Sequence, residues 1–215
     1  MNKKILAIET SSNICSISYL ENDNLIFLKE SDTPRKHVEL LPEYYLKLKK
    51  EIGLDLKQIS AIAVSIGPGS FTGLRIGLSF AKGLAFSSDL PIIPVPTILS
   101  LAYNIKADKP LLGIVLSHSK RVFYQEFNWG NNILSELGPV QAKDWDEINF
   151  SNYDSGNAFQ WGCEGLISNE KLLVSKPSSK SIGLLANINF DNWIVKKPYS
   201  LESNYVSPFK VGTKK

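Results

Sequence analysis

The sequence contains few of the residues that most often bind metals or form disulfides. Its 215 residues include only two cysteines, two histidines and one methionine. Cys15 and Cys163 cannot make a disulfide scaffold and have no metal-ligand spacing, so we expect two buried thiols in a reducing cytoplasm. His37 and His118 are far apart and lie in different predicted halves. This scarcity of ligands argues against metal-dependent chemistry by this chain alone.

Long apolar segments and a strong charge imbalance are absent as well. The first apolar run, Ile5–Ile8, is interrupted by Glu9, so we expect no secretory signal peptide, and no run is long enough to span a membrane. The net charge of +3 is weak evidence for nucleic-acid binding, and the basic cluster Lys210–Lys215 is more typical of a solvated tail. With 43% hydrophobic residues, the chain can fill one large or two small cytoplasmic domains.

A glycine-rich segment, Ser65–Gly77, is the most informative feature that is present. It follows Ala61–Ile66, a short β-branched run that predicts a buried strand, and it precedes a helix that Ser70 or Thr72 can cap. Such a loop suits a bound phosphate or carboxylate. Its spacing, however, matches neither the Walker A nor the dinucleotide-binding pattern. Anion binding and a purely structural use of the glycines therefore both stay open.

The helix after this loop has an unusual pattern. Gly73, Gly77, Ala81 and Ala85 recur every four residues, which aligns small side chains on one face and lets another backbone come close. Most of the remaining surface of the helix is apolar, so it needs cover on two sides. The second cover is either the chain's own core or a partner protein.

The pattern of elements predicts an α/β fold with mixed sheets in two related halves. The first three strands are expected to form an antiparallel meander, and Thr97 is expected to cap a short helix. The chain is expected to divide within 104–110. Strands are expected at 4–8, 14–20, 25–30, 61–66, 92–95, 111–116, 121–128, 133–137, 155–161 and 171–174, and helices at 36–52, 72–87, 97–103 and 180–190.

Three motifs together resemble one known family. They are Ile5–Ser12, the helix start Arg35–Pro42 and the string Ser65–Gly77. The chain is similar to the bacterial TsaB (YeaZ) proteins of the actin-like/Hsp70-like ATPase superfamily, which has a ribonuclease H-like fold. The resemblance implies an N-terminal actin-like lobe with partner-binding helices over residues 1–104. It further implies a smaller, divergent C-terminal α/β lobe over residues 105–215.

The resemblance also implies a function. Members of this family are expected to be non-catalytic subunits that bind and activate the catalytic paralogue TsaD, which transfers threonylcarbamoyl to adenosine 37 of tRNAs decoding ANN codons. A TsaE-like ATPase and tRNA are then partners through the complex, with no membrane involved. No cofactor is implied for this chain alone, and ATP is left to the complex. The sequence does not decide between a monomer and a homodimer.

His37 is expected at the exposed start of the first helix, where it either touches the partner or is an ordinary polar side chain of the first turn.

The resemblance further implies two groups of site residues, one at the partner interface and one at a nucleotide or phosphate contact. The partner interface comprises Val38, Leu41, Tyr45, Leu48, Phe71, Leu74, Gly77, Leu78, Ala81, Lys82 and Ala85. A nucleotide or phosphate contact is expected at Glu9, Thr10, Ser11, Gly67, Gly69 and Ser70.

No catalytic or metal-binding residue is expected. The catalytic paralogue has a His-x-x-x-His pair after the strand equivalent to 92–95, and this chain has no histidine in Val95–Tyr103. Intrinsic ATP hydrolysis is not expected either, because the turn after Glu9 lacks the glycine that would let it wrap phosphates. The alternatives are a free-standing actin-like ATPase or phosphotransferase and, less favoured, a peptidase.

Overall fold

The computed structural model is an α/β arrangement of two mixed sheets with helices packed on them. It describes residues 2–105, 107, 110–131, 133–153, 156–168 and 171–206. Strands occupy Lys4–Glu9 (β1), Ile14–Glu21 (β2), Asn24–Asp32 (β3), Ala61–Gly67 (β4), Ile92–Pro96 (β5), Leu111–His118 (β6), Arg121–Gly130 (β7), Ile133–Glu136 (β8), Gln141–Asp144 (β9), Ala158–Trp161 (β10) and Leu173–Val174 (β11). Helices occupy His37–Ile52 (α1), Phe71–Ser88 (α2), Thr97–Ala102 (α3), Ser179–Ile188 (α4) and Phe190–Trp193 (α5).

The first sheet has the order β3-β2-β1-β4-β5. Its first three strands form the expected antiparallel meander, with the turn between β2 and β3 made by Asn22, whose φ is 53°. β4 and β5 run parallel to β1 because α1 and α2 return the chain to the starting edge. This half of the fold agrees with the sequence prediction.

The second sheet has the order β11-β10-β6-β7-β8, with β9 also paired to β7. The sequence predicted its strands except β9, Gln141–Asp144, which has no apolar alternation to reveal it. The strand predicted over 155–161 begins at Ala158, and the helix predicted over 180–190 ends at Ile188. Two further predictions extend outside the described residues: the division within 104–110 in part and the tail Lys210–Lys215 entirely.

The inner strands of the first sheet are buried on both faces. Even-numbered residues of β1, such as Leu6 and Ile8, pack with α1 and α2. Odd-numbered ones, such as Ile5 and Ala7, pack with α3, α4 and residues of the second sheet. This period-two division is what a strand between two layers requires. Helix α4 thus covers the first sheet, although it follows the whole second sheet in the chain. The division of the chain at residue 104 stays a prediction.

Two local predictions need correction. Thr97 does not cap α3; it is the first residue of the helix, the flanking residue is Pro96, and no side chain caps this end. His37 is not exposed at the start of α1 but is buried. The helix turns its first residue inward, because His37 shares a face with Leu41, Tyr44 and Leu48.

The cysteines lie where the sequence placed them. Cys15 and Cys163 are both buried and free. Burial is the largest cause that raises the pKa of each thiol, and the carboxylates of Glu9 and Glu164 respectively raise it further, to about 12. Neither thiol is a nucleophile at neutral pH.

Candidate functional site

The glycine-rich loop lies between β4 and α2. Ser70 is the residue that caps α2, since its Oγ accepts a hydrogen bond from the Gly73 N–H at 3.2 Å. Thr72, the other candidate, is an exposed residue within the helix. One backbone N–H at the start of α2, that of Gly73, is therefore already hydrogen-bonded within the chain.

The glycines bring the loop and α2 into contact with the turn that follows β1. A Cβ at Gly69 would lie 2.3 Å from the Ser11 carbonyl oxygen, and one at Gly73 would lie 2.0 Å from that of Thr10. Two hydrogen bonds hold the contact: the Ser70 N–H donates to the Ser11 oxygen at 2.6 Å, and the Thr10 hydroxyl donates to the Gly73 oxygen at 2.9 Å. The small residues thus have a structural use within this chain.

Gly67, at the end of β4, also allows a close backbone contact, on the other side of the loop. Its φ is 109°, a conformation that other residues rarely adopt, and a Cβ there would lie 2.8 Å from the Asn204 carbonyl oxygen. The Asn204 N–H donates to the Ile66 oxygen at 2.7 Å. Residues near the end of the described chain therefore lie directly against the glycine loop.

The residues predicted to contact a phosphate are thus brought together. Thr10, Ser11, Gly69 and Ser70 are in direct contact, and Gly67 flanks the same loop. Of these, Ser11, Gly69 and Ser70 line a cleft of about 970 Å³ between the first sheet and the second. The second sheet contributes residues that the sequence did not assign to a site: His118, Arg121 and Trp161.

Glu9 lies beneath this cleft rather than in its wall. The carboxylate is fully buried at the end of β1 and accepts a hydrogen bond from the Ser11 N–H. Burial raises the pKa of Glu9 above its ordinary value, although the neighbouring polar groups of Ser11, Ser65 and Thr10 act in the opposite direction. A carboxyl group with this surrounding resists ionisation in the folded protein.

Glu9→Gln is expected to stabilise the protein increasingly as the pH rises above about 4.5, the ordinary pKa of the side chain. Because the folded pKa is higher than the unfolded one, the wild type loses stability as the pH rises from the unfolded towards the folded value, and the amide removes that loss. Thermal unfolding of both proteins between pH 4.5 and 8 measures the difference. A difference that stays constant with pH would contradict the raised pKa.

The residues predicted for the partner interface separate into two groups. Four keep surface in the protomer: Val38, Tyr45, Phe71 and Lys82. The other seven are buried in its own core: Leu41, Leu48, Leu74, Gly77, Leu78, Ala81 and Ala85. A residue without surface cannot touch a docked protein, so these seven belong to the packing of the first sheet. The interface as such stays a prediction.

An apolar surface does remain where α1 and α2 lie side by side. Tyr45 of α1 meets Phe80 of α2 edge to face, with ring centroids 5.8 Å apart. Val38, two turns before Tyr45, is 65% exposed, and Ile76, one turn before Phe80, is half-buried. We call Val38, Tyr45, Ile76 and Phe80 the α1–α2 face. Ile76 and Phe80 were missed from the sequence; they lie about 100° around α2 from Gly77 and Ala81 and are only partly buried.

Two further findings concern the described part of the chain. Within it, no three side chains of histidine, cysteine, aspartate or glutamate are grouped as they would be around a metal ion. None of its helices combines the length and the apolar character needed to cross a lipid bilayer.

The two mixed sheets have the architecture of the actin-like ATPase fold. A solved structure of YeaZ from Pseudomonas aeruginosa shares this fold, with a TM-score of 0.79 at 21% sequence identity over 94% of this chain and 100% of that one. The model of the family "TsaD: tRNA N6-adenosine threonylcarbamoyltransferase" matches residues 31–155, more than half of the chain. The chain therefore belongs to this family, and to its TsaB (YeaZ) group.

Curated relatives agree with this assignment. The chain is 37% identical over 101 residues to "tRNA threonylcarbamoyladenosine biosynthesis protein TsaB" of Haemophilus influenzae, covering 47% of this chain and 42% of that protein. It is 32% identical over 149 residues to the Bacillus subtilis protein of the same name, covering 67% and 65% respectively. The chain thus matches about two fifths to two thirds of the length of these relatives.

Proposed function

We propose that this chain takes part in threonylcarbamoyladenosine biosynthesis in tRNA as an accessory subunit without catalytic residues of its own. It binds a TsaD-like catalytic protein through the α1–α2 face and supports transfer of threonylcarbamoyl to adenosine 37 of tRNAs that decode ANN codons. The names of the curated relatives support the pathway. The docking role is our inference from the chain's own surface.

The observation behind the docking role is the α1–α2 face. Its four apolar side chains lie on two adjacent helices that pack on the first sheet, and each of the four keeps part of its surface exposed. Two parallel ridges of this kind fit the grooves between two helices of another protein. A TsaD-like protein, which shares the family model with this chain, offers such a pair in our proposal. A second copy of this chain is the competing occupant.

The structure of the glycine loop supports an accessory rather than a catalytic role. The loop is filled by the backbone of Thr10 and Ser11, and the turn after β1 has no glycine with which to enclose a phosphate. In the proposal, ATP therefore acts at the level of the complex, through a TsaE-like ATPase, and this chain needs no cofactor.

Reconstitution tests the proposal directly. The mixture contains an ANN-decoding tRNA, threonylcarbamoyl-adenylate, ATP, a TsaD-like protein and a TsaE-like ATPase, with or without this chain. We expect turnover of threonylcarbamoyladenosine to depend on the chain and to reach the same level when Glu9→Gln replaces the wild type. If threonylcarbamoyladenosine forms at the same rate when the chain is omitted, the accessory role is wrong.

The alternative is a free-standing ATPase or phosphotransferase of the actin-like fold. The cleft of about 970 Å³ favours it, because polar groups of Ser11 and Ser70 face Arg121 and Trp161 across a space large enough for a nucleotide. Calorimetric titration of the isolated chain with ATP and Mg²⁺ separates the two ideas. Tight binding of ATP by the isolated chain would favour the alternative, and no detectable binding would favour the accessory role.

A further inference from the structure

One flank of α2 is covered by a late segment of the chain, residues 195–206. This segment starts at Val195, which exchanges backbone hydrogen bonds with Ile92 of β5, and reaches Asn204 beside the glycine loop. Between these points it runs antiparallel to α2: Tyr199 lies near the end of the helix and Tyr205 near its start. The flank formed in this way is separate from the α1–α2 face.

Aromatic rings stand exposed at both ends of this flank. Phe86 is 75% exposed and meets Tyr199, which is itself 59% exposed, with ring centroids 6.2 Å apart. Fifteen residues earlier on α2, at the other end, Phe71 contacts Tyr205 with centroids 4.9 Å apart. At a rise of 1.5 Å per residue, the two ends are about 22 Å apart along the helix. Two such exposed aromatic groups are more than core packing requires.

Cations alternate with these rings. Lys82 lies between the two ends and donates to the Tyr199 carbonyl oxygen at 3.0 Å. Arg75 lies 3.8 Å above the Phe71 ring and donates to the Tyr205 hydroxyl at 3.2 Å. Lys196 and Lys197 are exposed and directly precede the Pro198–Tyr199 turn.

Acidic residues are fewer on the same segments. They are Asp89, just after α2, and Glu202, both exposed. Four cations against two carboxylates leave the flank positive, within a chain whose formal net charge is only +3. We call Arg75, Lys82, Phe86, Lys196, Lys197, Tyr199 and Tyr205 the aromatic–basic flank.

We propose that the aromatic–basic flank binds a single-stranded stretch of RNA. Bases stack on the exposed rings of Phe86 and Tyr199 at one end and of Tyr205 at the other, while phosphates lie along Lys82, Lys196 and Lys197. Exposed rings that alternate with cations are the combination that unpaired nucleotides require. An acidic protein surface would pair with the lysines but would leave two separate aromatic groups in water. The choice of RNA rests on the proposed function, which assigns tRNA to the complex but no contact to this chain.

Binding of RNA to the full-length chain tests the proposal. The probes are a fluorescent 12-nucleotide oligouridine and an anticodon stem-loop of an ANN-decoding tRNA, followed by anisotropy at several salt concentrations. For Phe86→Ser combined with Tyr199→Ser, we expect affinity to fall at least tenfold. For Lys196→Gln combined with Lys197→Gln, we expect the slope of log K against log salt to become shallower by about 1.4, because two phosphate contacts are lost.

Matched controls replace exposed residues that are not part of the aromatic–basic flank. Ile133→Ser removes an exposed apolar side chain of the second sheet, and Lys171→Gln with Lys180→Gln removes two exposed charges elsewhere. Both controls are expected to bind RNA like the wild type. The proposal is overturned if the controls lose as much RNA affinity as the flank variants, or if neither flank variant changes RNA binding.

The result also separates this proposal from the accessory role. If the flank variants bind RNA normally but fail to capture a TsaD-like protein, the flank belongs to a protein interface, and the RNA proposal is wrong while the accessory role survives. If the wild type binds RNA through the flank but reconstituted turnover does not need the chain, the accessory role fails and the RNA contact stands.

Discussion

Gly73→Ala is expected to destabilise the protein by about 3 kcal/mol, at the upper end of the usual cost of overpacking. The new Cβ would lie 2.0 Å from the carbonyl oxygen of Thr10, an atom that cannot rotate away. The Thr10 hydroxyl is itself bonded to the Gly73 oxygen, so the backbones would have to separate and break this contact. The midpoint of thermal unfolding should then fall by roughly 6–12 °C for a chain of this size.

Gly83→Ala provides the matched control on the same helix. Gly83 is exposed and no atom lies within 4 Å of its Cβ position. Alanine there removes the cost of glycine in a helix, so we expect a gain of up to about 1 kcal/mol. Equal midpoints for the two variants would mean that α2 does not approach the turn after β1 as closely as described.

Val38→Glu combined with Ile76→Glu is expected to abolish binding to a TsaD-like protein while the protomer stays folded. Val38 is 65% exposed, and Ile76 packs against the core but keeps part of its surface, so water reaches both carboxylates in the free chain. In the complex the same carboxylates lose that solvation and have no opposite charge to pair with, at a cost of several kcal/mol per ion. We expect affinity to fall more than a hundredfold in a surface-binding measurement, with turnover in the reconstituted reaction lost in parallel.

Ile133→Glu is the control for this variant, since Ile133 is 69% exposed on β8, a strand of the second sheet. It should bind normally. Undiminished binding by the folded double variant would place the docking surface elsewhere. Ala81→Glu and Leu78→Asp, which the sequence alone suggests as docking probes, are unsuitable: both residues are buried, so a charge there would unfold the protomer.

Much of the fold could be predicted because its signals are local. The strand at Ala61–Gly67, the helix at His37–Ile52 and the meander of β1 to β3 each follow from side-chain periodicity within a few residues. Strand β9 could not be predicted, because its pairing with β7 depends on backbone groups and not on an apolar pattern. Its short polar sequence, Gln141–Asp144, resembles a loop.

The candidate site was harder to predict than the fold, for one physical reason. Periodicity showed that α2 is apolar nearly all round, but not which side faces its own sheet. Close approach decides this: Gly73 and Gly77 lie against Thr10, so the small residues face inward. Phe80 and, one turn before it, Ile76 lie on the side of α2 towards α1 and are only partly buried. The cleft residues His118 and Arg121 are brought near Ser11 only by the packing of the second sheet on the first. The spacing of residues in the sequence does not predict contacts between residues that lie far apart in the chain.

Helix α4 has a consequence for how this protein is made. On the ribosome, β1 to β5 emerge first, yet Ile5, Ala7 and Ala63 stay open to water until residues 179–188 have been synthesised and can close over them. During that interval one apolar face of the first sheet is exposed on the nascent chain, and we expect chaperones to bind it. A fragment released before α4 should aggregate, however well its own strands pair.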